Sequence, residues 1–156
     1  MQEHGADQRA LFRRWPSGVS VVVAELDGRR AGLTVSTLVS LSLQPPLVGI
    51  SIAREASLYE VLRDAGEWSA SILAGDQDYL AQHFSRSVPP IALWDGIPVR
   101  DDDPRLIAGA IGWIVARTVD ELPAGDHTFF VGEITALEHG RVAPSLVHMD
   151  RRYFES

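Results

Sequence analysis

The hydrophobic positions of the chain fall in short runs separated by turn residues, a pattern typical of a β-rich domain. Residues 18–26 are rich in β-branched side chains, and Asp27 with Gly28 provides a hairpin turn before a second apolar run over residues 32–43. Because these runs follow one another through short turns, they predict antiparallel strands and argue against alternating βαβ units. Further strands are predicted over residues 47–53, 68–73, 110–119 and 127–137, with a turn over residues 123–126.

Helical patterns occur at three places between these runs. Residues 6–15 suit a short amphipathic helix that ends before Pro16. Ser57 and Glu60 have the spacing of a capping box and predict a second helix, which Gly66 ends.

Asp76 is predicted to cap the third helix, which carries apolar residues as far as Phe84. The following residues 85–109 contain several prolines and an acidic run, so we predict a loop with one short strand near residues 97–99.

Length and composition indicate one compact domain. With 156 residues and 46% hydrophobic side chains, we expect a single domain over residues 1–156, of which 1–10 form a flexible leader. The formal net charge of −7 makes nucleic acid an improbable partner, and no apolar run is long enough for a membrane span. The chain has no cysteine, which excludes disulfides and thiolate metal sites and fits a reducing compartment, so a cytoplasmic location is expected.

The run from Leu33 to Leu43 alternates between apolar residues at most odd positions and small hydroxyl residues at most even positions. In an extended strand the two sets lie on opposite faces. One interpretation is a strand with one face in solvent. The other is a surface of small donors and acceptors that a flat ligand approaches closely.

The triplet of Gly125, Asp126 and His127 lies where a turn meets a predicted strand, so His127 is expected beside a carboxylate at the rim of the sheet. Such a histidine is either a tolerated turn residue or a functional one. The acidic run at residues 101–103 lacks the ligand spacing of a calcium loop, and the histidines show no metal-binding pattern, so we predict no metal site. Phosphate-binding glycine motifs and a serine-hydrolase elbow are also absent from the sequence.

The order of several motifs resembles the flavin reductase-like family of FMN-binding split-barrel proteins, which includes the reductase components of two-component flavin-dependent monooxygenases. The resemblance covers nearly the whole chain, from about Phe12 to Tyr153. Its motifs are Pro16-x-Gly18-Val19, the run Gly32-Leu33-Thr34-Val35-Ser36-Thr37, the run Ser40-Leu41-Ser42-Leu43-Gln44-Pro45-Pro46-Leu47-Val48, and Gly125-Asp126-His127.

The resemblance implies a mainly β (α+β) fold, an antiparallel six-stranded split β-barrel with Greek-key-like connections and two to three short helices. It also implies a homodimer. The activity it implies is hydride transfer from NADH or NADPH to FMN or FAD, with the reduced flavin passed to a separate monooxygenase.

The same resemblance implies the residues of the site. His127 is the expected catalytic residue on the nicotinamide side, together with Gly125, Asp126 and His148. A phosphate is expected at the helix start near Ser57 with Arg54 and Arg86 as counter-ions. The expected flavin-binding residues are Thr34, Val35, Ser36, Thr37, Ser51, Ala53, Arg54, Ser57, Phe84 and Arg86.

Two other functions stay open at this point. One is a non-catalytic flavin-binding split-barrel module in which His127 is structural, and the other is a related split-barrel oxidase or an enzyme that uses a deazaflavin. The chain departs from the family at residues 69–71, where an asparagine is common, and at His148, where a tyrosine is frequent.

Overall fold

The fold is mainly β, with ten strands and three helices in the computed structural model, which describes residues 2–156. In chain order the elements are α1 (Gln2–Phe12), β1 (Ser17–Gly18), β2 (Ser20–Leu26), β3 (Arg29–Val35), β4 (Val39–Leu43), β5 (Pro46–Ala53), α2 (Leu58–Ala65), β6 (Glu67–Ile72), α3 (Asp78–His83), β7 (Gly112–Ala124), β8 (His127–His139), β9 (Leu146–Met149) and β10 (Arg152–Glu155).

The strands form two antiparallel sheets. The larger sheet has seven strands in the order β3-β2-β6-β7-β8-β5-β4, and the smaller has the order β1-β9-β10. This arrangement corrects the expected six strands in two ways. The run over 32–43 is divided between two strands, and the chain termini contribute the small sheet. The small sheet has a local signal in the apolar residues on either side of Asp150 and Arg151, both of which have the positive φ of a tight turn.

The large sheet must curl, because its two outer strands are consecutive in the chain. Flat, seven strands place β3 and β4 about 29 Å apart, whereas the connecting residues 36–38 span at most about 14 Å. The curl creates an inner and an outer face, and each carries its own hydrophobic cluster.

Strand β2 is buried on both faces, which explains why its sequence is a continuous apolar run. Val22 and Ala24 pack in the cluster that also contains α2, Trp68 and Phe130. Val21 and Val23 pack in the second cluster with α3 and Phe84. The second cluster matters for function because it supports the segment that follows α3.

Of the two predicted N-caps, Ser57 is at the N-cap position of α2 but makes no capping hydrogen bond, and Asp76 is not the N-cap of α3. Ser57 has helical backbone angles and makes no side-chain cap hydrogen bond, so its hydroxyl is not used for capping. The N-cap of α3 is Gln77, whereas the Asp76 carboxylate pairs with Arg141. Gly66 ends α2 as predicted, in the left-handed conformation.

Helix α1 ends at Phe12, well before Pro16, and continues back to Gln2 rather than starting at residue 6. Every side chain from His4 to Phe12 is exposed, so this part of the helix packs against no core residue. The flexibility expected of residues 1–10 stays a prediction, and residue 1 lies outside the described residues.

The acidic run forms a loop, as the sequence predicts, and Asp101 and Asp102 are exposed, but two of its carboxylates pair with arginines. Asp102 binds Arg100, which also binds Glu138, and Asp103 binds Arg105, which also binds Glu67. These ion pairs hold residues 100–105 against β6 and β8. A short strand is predicted near residues 97–99. The structure has a single isolated β-bridge there, between Val99 and Ile107.

We expect the ion pairs to make the domain sensitive to acid. Hydrogen bonds from Arg100, Arg105 and Arg141 lower the pKa of Asp102, Asp103 and Asp76 respectively. A carboxyl whose pKa is lower in the folded state stabilises the fold above its unfolded pKa, and this contribution is lost as the pH falls through the folded value. Urea unfolding is therefore expected to show a lower free energy of unfolding at pH 3 than at pH 7.

Asp103→Asn is expected to reduce this pH dependence, because it removes one of the titrating carboxyls. Asp101→Asn is the matched control, since Asp101 is adjacent and forms no ion pair with any described side chain. An identical pH dependence for the wild type and Asp103→Asn contradicts the assignment.

Candidate functional site

An open cleft of about 480 Å³ runs along the outer side of β3. It is lined by residues 29–33 of β3, by residues 55–57 before α2, and by residues 84–90 and 93 after α3. The cleft contains three of the expected flavin-binding residues, Ser57, Phe84 and Arg86. Because Arg29, Arg30 and Arg86 all line it, we call it the arginine cleft.

The three arginines differ in their side-chain contacts. The Arg30 guanidinium lies 3.9 Å from the centre of the Trp94 ring and donates to the Pro104 carbonyl at 2.8 Å. Partial burial lowers the pKa of Arg30. Arg29 and Arg86 form no ion pair with any of the described side chains. Glu55 also lines the cleft, so three guanidinium groups face one carboxylate there. In a protein with a net charge of −7, the cleft is therefore locally basic, as an anion site requires.

Phe84 forms the floor of the arginine cleft and is 1% exposed. Its ring packs on Trp94 and lies 3.1 Å from the position that a Cβ on Gly32 would take. The Phe84 carbonyl accepts the Thr34 N–H at 3.2 Å. Phe84 therefore holds the wall of the cleft against β3 and exposes little surface to a ligand.

Residues 36–38 interrupt the strand that the sequence predicts as continuous. Thr37 Oγ1 accepts the Ser51 N–H at 3.1 Å and donates to the Ser51 carbonyl at 3.2 Å, so it ties the interruption to β5. Within residues 2–156, the main-chain N–H groups of Ser36, Thr37 and Leu38 donate no hydrogen bond. Three unpaired donors in one short segment suit a ligand with acceptor or anionic atoms along one edge.

A cavity of about 150 Å³ adjoins this segment, and we call it the small cavity. Its walls include Thr34, Val35 and Ser36 from the predicted flavin-binding run, and Ser85 belongs to both this cavity and the arginine cleft. The Thr34 hydroxyl donates to the Ala81 carbonyl at 2.7 Å, and the Val35 side chain is buried in the core. Only Ser36 in this run therefore presents an exposed hydroxyl without a partner among the described residues.

His148 lies on the opposite wall of the small cavity, with its ring centre 5.1 Å from that of Tyr153. It sits on β9, paired with Ser17 on one side and Tyr153 on the other. The structure thus places His148 beside the predicted flavin-binding run rather than beside the triplet that contains His127.

The triplet forms the turn between β7 and β8, which we call the histidine turn. Gly125 has φ +63°, a conformation that favours glycine. Asp126 is exposed, and its carboxylate lies 2.7 Å from His127 Nδ1. His127 pairs with Ala53 at the end of β5, so the turn lies beside the segment that leads to Ser57.

The Asp126 contact orients the His127 ring. The hydrogen bond from His127 holds the pKa of the Asp126 carboxyl below its usual value. An ionised carboxylate only accepts hydrogen bonds, so Nδ1 carries the proton. In the neutral ring Nε2 is then an acceptor, directed away from Asp126.

Arg54 contacts the histidine turn and does not line the arginine cleft. Its guanidinium donates to the Gly125 carbonyl, and its main-chain N–H donates to the Asp126 carbonyl at 3.1 Å. The structure therefore separates Arg54 from Arg86, although the sequence expectation put both beside one phosphate. Both contacts of Arg54 restrain the turn that carries His127.

The three parts of the site follow one another along the fold. The arginine cleft meets the small cavity at Ser85, and the small cavity ends at Ser36. Thr37 contacts Ser51, which lies two residues before Ala53, the partner of His127 in the sheet.

Several residues of the site carry no signal that our motif analysis used. Arg29 and Arg30 directly follow the hairpin turn, and Ser85 and Ser87 flank Arg86. Two adjacent arginines at the start of a predicted strand, Arg29 and Arg30, are the sequence feature that could have indicated the cleft. Tyr153, on the wall of the small cavity, becomes part of the site only through the small sheet.

Among the described residues, no three His, Cys, Asp or Glu side chains are grouped so that they could hold a metal ion. No helix in the described part of the chain has the length and apolar character that crossing a bilayer requires.

Comparison with known proteins identifies a relationship over almost the whole chain. The family model described as "Flavin reductase like domain" matches residues 12–156. The reductase component of 4-hydroxyphenylacetate 3-monooxygenase from Thermus thermophilus is 36% identical over 146 residues, which cover 93% of this chain and 92% of that protein. An NADH:FMN oxidoreductase from Rhodococcus erythropolis is 32% identical over 156 residues, with coverage of 94% and 80%.

A solved structure gives the same relationship. The NADH:FAD oxidoreductase of Streptomyces globisporus superposes with a TM-score of 0.90 at 26% identity, covering 97% of this chain and 93% of that one. The matched region contains β3, the interrupted segment 36–38, the arginine cleft and the histidine turn. The chain therefore belongs to the flavin reductase like domain family.

Proposed function

We propose that this protein is an NAD(P)H-dependent flavin reductase that transfers hydride from NADH or NADPH to FMN or FAD. The observation that carries the proposal is the segment 36–38, whose unpaired main-chain donors lie between the arginine cleft and the histidine turn. Relatives that are flavin oxidoreductases by name support the reaction class.

The donor set fits a flavin. The polar edge of the flavin ring carries carbonyl oxygens and a ring nitrogen that gain negative charge on reduction, and the N–H groups of Ser36, Thr37 and Leu38 are suited to stabilise it. The exposed Ser36 hydroxyl adds one more donor. When bound, the flavin supplies the hydride acceptor, so the protein needs no nucleophile of its own.

A flavin phosphate is best accommodated in the arginine cleft. Arg86 and the Ser57 hydroxyl both line it, and neither has a side-chain partner among the described residues. A guanidinium and a hydroxyl at one site are matched to a phosphate dianion. Arg54 is given a different role in this proposal, because its guanidinium donates to the Gly125 carbonyl in the histidine turn.

His127 is the proposed catalytic residue and the contact for the nicotinamide. With Nδ1 held by Asp126, Nε2 is the ring nitrogen left to contact the carboxamide of a nicotinamide. Such a contact orders the two flat rings for hydride transfer and acts mainly on the rate. His148 stays a proposed nicotinamide contact from the small cavity.

We propose further that two copies of the chain associate and that a separate monooxygenase receives the reduced flavin. Leu11, Phe12 and Trp15 are each more than half exposed, and Leu43 on the outer strand β4 is 90% exposed. A second copy would cover such apolar side chains and the unpaired edge of β4. The named relatives include reductase components of two-component monooxygenases, which supports the oxygenase partner.

Anaerobic stopped-flow absorbance tests the activity. Purified protein with FMN or FAD is mixed with NADH or NADPH, and bleaching of the oxidised flavin band well above the rate of the protein-free control is expected. Flavin binding without bleaching by either nucleotide would support a binding module and remove the catalytic role of His127. No flavin binding at all would contradict the proposed function.

Arg54→Met is expected to lower the turnover number about tenfold and to leave the flavin dissociation constant within about twofold of the wild type. The physical reason is that methionine keeps the length of the side chain but cannot donate to the Gly125 carbonyl, so the histidine turn loses a restraint. Steady-state reduction rates and flavin fluorescence titrations measure the two quantities.

Arg54→Lys retains a donor and is expected to recover part of the turnover. Arg117→Gln is the matched control, because Arg117 is an exposed arginine of β7 whose partner Glu133 lies six residues from His127 along β8. A loss of flavin affinity in Arg54→Met with unchanged turnover would instead support the original expectation of a phosphate contact.

A further inference from the structure

We propose that a second pocket, next to the histidine turn, binds a small oxyanion and thereby restrains that turn. The pocket has a volume of about 320 Å³ and lies between α2 and the hairpin of β7 and β8. We call it the α2 pocket, and its lining residues are Arg54, Tyr59, Arg63, Glu121, Pro123 and Thr128. The effect on the reaction rests on the proposed function, because the histidine turn carries the proposed catalytic residue.

The α2 pocket is separate from the groups proposed to hold the flavin and the nicotinamide. It shares no lining residue with the arginine cleft or the small cavity. Thr128 lines the α2 pocket and directly follows His127 in β8, so the two side chains lie on opposite faces of the sheet. A ligand in the α2 pocket would therefore leave the proposed reaction site open.

The charge of the α2 pocket favours an anion. Two guanidinium groups and one carboxylate line it. Arg63 Nε lies 3.3 Å from the Glu121 carboxylate, and the other two nitrogens of this guanidinium bind no described residue. Arg54 forms no ion pair with a described side chain, since the nearby Asp126 carboxylate is bound to His127. An oxyanion would therefore meet unused N–H donors from both arginines.

Two hydroxyl groups in the α2 pocket leave one hydrogen without an acceptor. Tyr59 Oη lies 3.1 Å from Thr128 Oγ1, and Thr128 is only 5% exposed. Each hydroxyl carries one hydrogen, so whichever of them donates in this contact, the hydrogen of the other has no acceptor among the described residues. An unpaired donor at a partly buried site is unfavourable, and an oxyanion would satisfy it.

The donors converge from different elements on one position. Tyr59 and Arg63 are four residues apart on α2 and so lie on the same side of the helix. Arg54 reaches the pocket from the segment after β5, and Thr128 from β8. Guanidinium groups together with a free hydroxyl hydrogen suit a phosphate or carboxylate, which offers several acceptor oxygens.

Arg54 connects the α2 pocket to the histidine turn. Its guanidinium donates to the Gly125 carbonyl, and its main-chain N–H donates to the Asp126 carbonyl at 3.1 Å. An oxyanion that accepts from the remaining N–H groups of Arg54 holds its side chain in this conformation. The turn that carries His127 is then restrained more firmly, which favours the ordered geometry that hydride transfer needs.

Calorimetry with inorganic phosphate tests the site without any reaction. Excess FMN is present to occupy the arginine cleft, and sodium chloride keeps the ionic strength constant. We expect one phosphate to bind per chain, and Arg63→Gln to weaken its binding about fivefold. Tyr59→Phe is expected to weaken it about threefold, since phenylalanine keeps the ring packed on Phe130 but cannot donate.

Glu121→Gln is expected to act in the opposite direction and to tighten phosphate binding about threefold, because it removes the carboxylate that competes for Arg63. Arg117→Gln is the matched control with wild-type affinity, since Arg117 is an exposed arginine of β7 that pairs with Glu133 and does not line the pocket. Acetate replaces phosphate in a second titration, and the anion that binds more tightly identifies the preferred group.

Reduction rates test the connection to the histidine turn. With saturating FMN and NADH at constant ionic strength, phosphate is expected to raise the rate of flavin reduction about threefold. Arg63→Gln is expected to show the wild-type rate without phosphate and to lose the response at the same phosphate concentration. An unchanged rate in the wild type, at phosphate concentrations that saturate the pocket, would refute the restraint of the turn by the anion.

The site itself would be overturned if neither phosphate nor acetate binds. It would also be overturned if Arg86→Gln abolishes phosphate binding and Arg63→Gln leaves it unchanged, because the anion would then occupy the arginine cleft. Flavin reduction that continues in either case would leave the proposed function intact. Conversely, phosphate binding that depends on Arg63, without flavin reduction by NADH or NADPH, would support the α2 pocket and refute the reductase.

Discussion

His127→Ala is expected to lower the rate of flavin reduction by NADH or NADPH about 100-fold and to change the flavin dissociation constant less than about twofold. The ring of His127 is held by Asp126 at one nitrogen and offers the other, so its removal takes away a preoriented contact. The flavin-binding groups at residues 36–38 and in the arginine cleft are unchanged in this variant. Anaerobic stopped-flow rates and fluorescence titration separate the two effects.

His139→Ala is the matched control, because His139 ends the same strand, β8, about 40 Å from His127 and is exposed. It is expected to retain the wild-type rate and flavin affinity. If His127→Ala retains the wild-type rate as well, then His127 has no part in the reaction and the histidine turn is only structural.

The largest effect on stability is expected for Gly140→Ala. A Cβ at this position would lie 2.1 Å from the Ala110 carbonyl oxygen, and Gly140 donates its own N–H to the Ile111 carbonyl at 2.9 Å. Because the clash is with main-chain atoms, the end of β8 must move and the hydrogen bond is lost. We expect the free energy of unfolding to fall by about 3 kcal/mol and the Tm by about 10 °C.

Gly18→Ala provides the comparison, since a Cβ on Gly18 meets no heavy atom within 4 Å. Thermal unfolding followed by circular dichroism is expected to give a Tm close to that of the wild type for this variant. Equal melting temperatures for the two alanine variants would show that the contact at Gly140 is relieved without cost.

Some of the residues that line the two pockets are ones that the sequence motifs predict as site residues. Ser57, Phe84 and Arg86 line one cleft, and Thr34, Val35 and Ser36 line the cavity next to it. The motifs do not predict which groups these side chains bind within the protein. The Thr34 hydroxyl is bound to the Ala81 carbonyl, 47 positions along the chain, and such a contact leaves no trace in the local pattern.

The interrupted strand shows the limit of periodicity most clearly. Alternation from Leu33 to Leu43 predicts one long strand. The sheet instead closes around its core, so residues 35 and 39 belong to opposite edges and the chain must leave the strand between them. The unpaired donors at residues 36–38 are a consequence of that curl.

The assignment of Arg54 differs for a similar reason. Its position near Ser57 in the sequence suggested one shared phosphate, but the pairing of β5 with β8 brings Arg54 to Gly125 and Asp126 instead. Arg29, by contrast, is distant from Arg86 in the sequence and shares its cleft.

The sequence by itself determined the antiparallel β-rich class, the positions of most strands and turns, and the family, because these depend on side-chain periodicity, turn residues and ordered motifs. Tertiary structure alone decided the curl of the sheet, the small terminal sheet, the arginine cleft and the partners of Thr37 and Arg54. Those features depend on hydrogen bonds and packing between segments far apart in the chain, for which local patterns carry no information.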